Sequence, residues 1–183
     1  FNCLQYNNFL KCLWADEPVK ANTPFNNSIC QNMITPNIRI TKQFRFESAH
    51  ALWGYDGACR NIHGHSYILY VTLIGKPISD PDHPKYGMVM DFSVLKEIVN
   101  KQIVDQFDHA LMIRKNTPHQ QLAHTSDLFG KVMALDYQPT CENMIADFAA
   151  RITSQLPPDI KLFSLRLHET ATAYAEWFAS DNP

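Results

Sequence analysis

The sequence contains no run of about 18 apolar residues, which speaks against a membrane-spanning helix. It carries no excess of positive charge: 16 Lys and Arg stand against 18 Asp and Glu, a net charge of −2. A general electrostatic attraction to nucleic acid or anionic lipid is therefore not expected, and neither is read as a partner. The five cysteines, Cys3, Cys12, Cys30, Cys59 and Cys141, form no CxxC pair. An odd, widely spaced set fits free thiols in a reducing compartment better than a disulfide framework, so a cytoplasmic protein is expected. The first residues lack the charged, apolar and small-residue regions of a secretory signal. Internal repeats and low-complexity tracts are also missing. What is present is a globular composition, 45% hydrophobic and 19% charged over 183 residues, long enough to bury one core.

The chain divides near residue 36. Residues 1–36 are rich in Asn and Pro without a sustained period, and read as an appendage with one short helix near Phe9 to Trp14. A vector-derived or mis-started segment would look the same, since Met33 stands just before the periodic part. Residues 37–183 read as one domain. "IRITKQFRFESAH" alternates as a strand with Ile40, Phe44, Phe46, Ser48 and His50 on one face. "HGHSYILYVTLIG" is a second strand, ended by Gly75 and Pro77. Asp91 caps a helix whose apolar stripe is Val94, Leu95, Ile98, Val99 and Ile103. "KVMALDY" is a short further strand. Thr140 caps a second helix with Met144, Ile145, Phe148, Ala149 and Ile152 as its buried stripe. "IKLFSLRLHE" and "ATAYAEWFA" form a hairpin around Thr170, with Phe163, Leu165 and Leu167 on one face of its first strand. The order implies an antiparallel sheet with two helices on one face, the α+β class.

Three histidines stand out. His63 and His65 are two residues apart on a strand, so they share a face about 7 Å apart and can reach one ion above the sheet. His50 closes the preceding strand on its apolar side and supplies a third nitrogen if the two strands are neighbours. Three neutral imidazoles leave one position open on a tetrahedral zinc, the pattern of a catalytic site. A histidine beside an apolar strand is more often simply packed and hydrogen-bonded, and HGH alone is a weak motif. His83, His119 and His124 fall in polar loops and read as solvated.

Six stretches in order, "FRFESAHAL", "CRNIHGHSY", "MVMDF", "FDHAL", "PTCEN" and "LRLHETATAYAEW", resemble the family of 6-pyruvoyl- and 6-carboxytetrahydropterin synthases over residues 38 to 178. The resemblance implies the tunnelling fold: a four-stranded antiparallel sheet with two helices, three subunits closing a barrel and two trimers stacking into a hexamer. It implies 7,8-dihydroneopterin triphosphate as substrate, active sites between subunits, and Zn2+ held by His50, His63 and His65. Cys59 stands four residues before His63, the short spacing of the carboxy-forming branch that feeds queuosine synthesis. The implied reaction yields 6-carboxy-5,6,7,8-tetrahydropterin and releases acetaldehyde and triphosphate. The alternatives are the pyruvoyl-forming synthase, which eliminates triphosphate without cleaving the side chain, and a non-catalytic pterin-binding protein of the same fold.

The resemblance also assigns roles. Cys59 becomes the general base, a thiolate favoured by nearby positive charge; by itself it is a loop cysteine. Asp108 and His109 become a proton relay with Cys59, the carboxylate orienting the imidazole; a polar pair at a helix end is an equally ordinary reading. Glu169 offers two oxygens to the amino group and ring N–H of a pterin, or is a surface residue at a hairpin corner. Thr140 and Glu142 are assigned to pterin binding, with helix capping as the competing account. The triphosphate has several possible basic partners: Arg39, Lys42, Arg45, Arg60, Arg114 and Lys115. Two features depart from the family pattern. Cys141 stands where a small residue is usual, at a helix start where the dipole lowers a thiol pKa, which makes it a rival reactive thiol. The stretch from Arg114 to Tyr137 is longer than in compact relatives.

Overall fold

The computed structural model describes residues 36–123 and 125–183. The appendage, with the helix expected at Phe9 to Trp14, and His124 lie outside the described residues.

Two long strands form the centre. β1 (Ile38–His50) pairs antiparallel with β2 (His63–Gly75) along its whole length, from Ile38 opposite Gly75 to His50 opposite His63. The period of two sends Phe44, Phe46, Ser48 and His50 of β1 and Tyr67, Leu69, Val71 and Leu73 of β2 into the core. β3 (Ala110–Arg114), β4 (Val132–Leu135), β5 (Lys161–His168) and β6 (Tyr174–Phe178) complete the sheet in the order β4-β3-β1-β2-β5-β6.

This corrects the four-stranded, purely antiparallel expectation: the sheet has six strands, and β3 lies parallel to β1 and β4 parallel to β3. β3 lacks the alternation of a half-exposed strand because Ala110, Leu111, Met112 and Ile113 are all buried, on both faces. The α+β class holds, with the expected helices on the main core side.

α1 (Phe92–Val99) begins at its Asp91 cap, whose carboxylate accepts from the Ser93 N–H at 2.8 Å. It runs through a π turn (Asn100–Val104) into the short α2 (Asp105–Phe107). The buried residues Leu95, Val99, Ile103 and Phe107 are spaced by four throughout. A regular helix of 3.6 residues per turn would rotate such a row off the core; the wider π turn brings it back. α3 (Pro118–Ala123) follows β3, and α4 (Cys141–Thr153) follows β4. α4 buries Met144, Ile145, Phe148, Ala149 and Ile152, the expected stripe. Phe107 meets Phe148 edge to face at 4.9 Å, and Phe46 stacks on Tyr67 at 5.0 Å, so an aromatic layer underlies the end of β1.

The long stretch after Arg114 has a structural task. α3 and the single turn Asp127–Phe129 sit against the other side of β3, where Leu111, Ile113 and Ala123 form a second apolar cluster with Ala49, Phe129 and Val132. One further expectation changes. β5 carries a bulge opposite Thr72 and Leu73, which pair with Ser164 and Leu162 and leave Phe163 unpaired. Leu162, not Phe163, therefore joins Leu165 and Leu167 in the core. Phe163 turns outward, with the Arg39 guanidinium 3.8 Å from its ring centre.

Candidate active site

The three histidines meet where β1 ends and β2 begins. His50 is directly opposite His63, and His65 is opposite Ser48 one step along the same face. Their ligand nitrogens all lie within 4.8 Å of one another. His50 is buried and the other two are half-buried. The Nδ1 of His50 is 2.6 Å from the Pro139 carbonyl, and the Nδ1 of His63 is 2.8 Å from the Asn61 carbonyl. A carbonyl only accepts, so each Nδ1 carries the proton and each Nε2 turns a lone pair inward. Those two Nε2 atoms are 3.0 Å apart, a repulsive contact unless a positive charge lies between them. The Nε2 of His65 is buried with no hydrogen-bond partner. Burial pulls the pKa of His50 and of His65 below the ordinary imidazole value, which keeps both rings neutral and able to ligate. The residues present thus fit a divalent metal.

Glu169 stands immediately after β5, at the corner that leads to β6. Its Oε1 is 3.6 Å from the Nε2 of His50 and 3.7 Å from the Nε2 of His65. Beneath it lies Tyr67, packed edge-on against His50 and His65, its hydroxyl buried and without a hydrogen-bond partner. Burial, reinforced by the Glu169 charge, drives the Tyr67 pKa far above its usual value, so the hydroxyl remains a donor.

The start of α4 is tied to the same place. Thr140 caps it by accepting from the Asn143 N–H at 3.4 Å, and the preceding Pro139 supplies the carbonyl that holds His50. Glu142 is exposed on the first turn. Cys141 is not the reactive thiol that its position suggested. It is buried, its Sγ donates to the Leu167 carbonyl at 3.2 Å, and burial pushes its pKa up to about 11. Loss of solvation outweighs the helix dipole.

Cys59 lies on the single turn Ala58–Arg60 before β2, half-buried, its carbonyl accepting from the Leu52 N–H. Asp108 and His109 occupy the tight turn from α2 into β3. Asp108 accepts from the Glu47 N–H at 2.9 Å and pairs with His109 Nδ1 at 2.9 Å. These contacts, the Glu47 N–H foremost, hold its carboxyl below the usual range. His109 has φ 56, in the left-handed region, and its own N–H donates to the Glu47 carbonyl. Its imidazole is 79% exposed. It borders a cavity of about 520 Å3 together with Glu47, Ala49, Gly64 and Ser66. Ser48 and His65 line it too, and among the described residues the His109 side chain is bonded to Asp108 and to none of the three histidines.

Among the basic candidates, Lys115 is paired with Asp136 at 2.9 Å and Arg39 is spent on Phe163. His119, expected in solvent, is half-buried and meets Trp53 edge to face at 5.2 Å.

A family model described as 6-pyruvoyl tetrahydropterin synthase matches residues 39–179. The chain belongs to this family. A Haemophilus influenzae relative named 6-carboxy-5,6,7,8-tetrahydropterin synthase is 37% identical, over 76% of this chain and 97% of its own. An Aquifex aeolicus relative of the same name is 31% identical, over 75% of this chain and 96% of its own. The solved 6-pyruvoyl tetrahydropterin synthase of Caenorhabditis elegans shares the fold, with a TM-score of 0.56 at 23% identity, over 79% of this chain and 96% of that one. In this member of the synthase family, the groups that sequence reasoning missed are Tyr67 and the carbonyls of Asn61 and Pro139. The period of two places Tyr67 beside His65 and could have found it. Backbone carbonyls leave no trace in residue type.

Proposed function

We propose that the protein is a 6-carboxy-5,6,7,8-tetrahydropterin synthase acting on 7,8-dihydroneopterin triphosphate, with water consumed and acetaldehyde and triphosphate released. The observation that carries this reading is the placement of Glu169 beside the histidine cluster. The carboxylate and the three imidazoles together offer a pterin substrate an acceptor for its N–H groups and a metal centre within one site. The names of the relatives and the short Cys59-to-His63 spacing support the carboxy product.

His50, His63 and His65 would hold a zinc ion, which supplies Lewis acidity toward the oxygens of the substrate side chain. Glu169 accepts from the pterin amino group and ring N–H through its two oxygens. Thr140 and Glu142, at the start of α4, would add further polar contacts to the pterin. Cys59 removes the side-chain proton as general base. Asp108 orients the His109 imidazole through the 2.9 Å contact to Nδ1, so that it can pass a proton onward. Because the His109 imidazole is exposed and makes no bond to its own chain's histidines, we infer that it serves the site of a second copy. That agrees with active sites between subunits of a trimer-based hexamer, the assembly we propose for this cytoplasmic enzyme.

The test is turnover of 7,8-dihydroneopterin triphosphate with products identified by mass. A carboxytetrahydropterin together with acetaldehyde supports the reading; a pyruvoyl product, or binding without turnover, overturns it.

A further inference from the structure

We propose that Glu169 is a fourth, displaceable metal ligand that closes the histidine site when no substrate is bound. The inference rests on the metal reading above and gives Glu169 a role beyond gripping a pterin. Four ligand atoms, each about 2.0–2.1 Å from a tetrahedral zinc, lie about 3.3 Å from one another. The His50 and His63 Nε2 atoms are 3.0 Å apart, and the Glu169 Oε1 stands 3.6 and 3.7 Å from the Nε2 atoms of His50 and His65. These three of the six separations lie close to the tetrahedral value, and a small turn of the Glu169 side chain toward His63 completes the set. The Nδ1 of His50 already donates to Pro139, so its Nε2 presents a lone pair to the carboxylate and not a proton. Two acceptors facing each other are held there by a cation.

The same carboxylate cannot serve both partners at once. A paired grip on the pterin amino group and ring N–H takes both oxygens. Substrate binding therefore draws Glu169 off the metal and leaves a coordination position open. The movement needs only the side chain. The Glu169 and Thr170 N–H groups both donate to the Ala173 carbonyl, and the Thr170 hydroxyl accepts from the N–H groups of Thr172 and Ala173, so the corner itself is pinned. The unpaired Tyr67 hydroxyl is a buried donor beside the carboxylate as it turns. In the resting enzyme the metal is thus shielded from stray anions.

The experiment loads the metal-free full chain with Co2+ and reads affinity and visible spectrum for the parent, Glu169→Gln and a Glu176→Gln control. We expect Glu169→Gln to weaken Co2+ binding by about tenfold or more, the scale of a disrupted metal environment, and to change the spectrum, while Glu176→Gln matches the parent. Azide should bind the Co2+ form of Glu169→Gln more tightly than the parent, because the fourth position is then open. Parent-like affinity, spectrum and azide binding in Glu169→Gln would overturn the inference while leaving the metal reading intact. A parent chain that binds no Co2+ would overturn both. Spectral changes in a chain that does not turn over the pterin would sustain the inference and sink the proposed reaction.

Discussion

His50 lies directly opposite His63 in the β1–β2 ladder, and their Nε2 atoms stand 3.0 Å apart with both Nδ1 atoms anchored to carbonyls. The arrangement is built for a cation. About one metal ion per chain is expected, and His63→Ala combined with His65→Ala should lose it, since one remaining histidine holds a metal poorly. Metal analysis of the purified double variant checks this; full occupancy would remove the site.

The two described thiols should separate cleanly. Cys59→Ala is expected to lower turnover by about a hundredfold or more, the usual scale for a lost general base, with metal retained. Cys141→Ala should stay within a few-fold of the parent. If the Cys141 variant is dead and the Cys59 variant active, the assignment of the base is wrong.

The raised pKa of Cys141, about 11, also sets a pH dependence. Its burial favours the neutral thiol, so the stability it lends is fully present below the unfolded value and is lost as pH rises toward 11. Alkylation of the folded protein near neutral pH should mark Cys59 and spare Cys141, with Cys141 labelling rising steeply at alkaline pH. Peptide mapping by mass spectrometry reads each cysteine separately. Rapid labelling of Cys141 at pH 7 would contradict the buried, protonated thiol.

Ser48 secures the turn that carries Asp108 and His109. Its hydroxyl is 2.9 Å from the carbonyls of both Phe107 and Ala110, deep in the core. Ser48→Ala leaves those buried acceptors unserved and should cost about 1–3 kcal/mol. Turnover should fall while metal content stays at the parent level. Thermal unfolding, metal analysis and kinetics on one sample separate these effects.

Residues 1–32 precede every matched position, since the family match begins at residue 39. A chain starting at Met33 should therefore fold, bind metal and turn over as the parent does. A large loss of activity with the assembly intact would show that the segment reaches the site.

Much of the centre was legible in the sequence. β1 alternates from Phe44 onward, so Phe44, Phe46, Ser48 and His50 were placed on one face, and the register that brings His50 to His63 follows from pairing adjacent strands end to end. β3 was not legible because both its faces are buried, which erases the alternation that marks a strand. Phe163 was misplaced because a bulge shifts the period by one residue without any signal in side-chain type. Cys141 was misjudged because its helix start is visible in sequence while the packing that buries it is not. The placement of His109 depends on which strand edge β3 joins, a long-range choice that local pattern does not encode.

The π turn between α1 and α2 separates the length of the helix from the direction in which it ends. Removing one residue from Asn100–Val104 would turn the spacing of four, four and four among Leu95, Val99, Ile103 and Phe107 into the four, three and four that a regular helix keeps on one face. Phe107 would still meet the core, and Asp108 and His109 would emerge much as they do now. The spare residue is slack taken up inside the helix and not passed on to the turn beyond it.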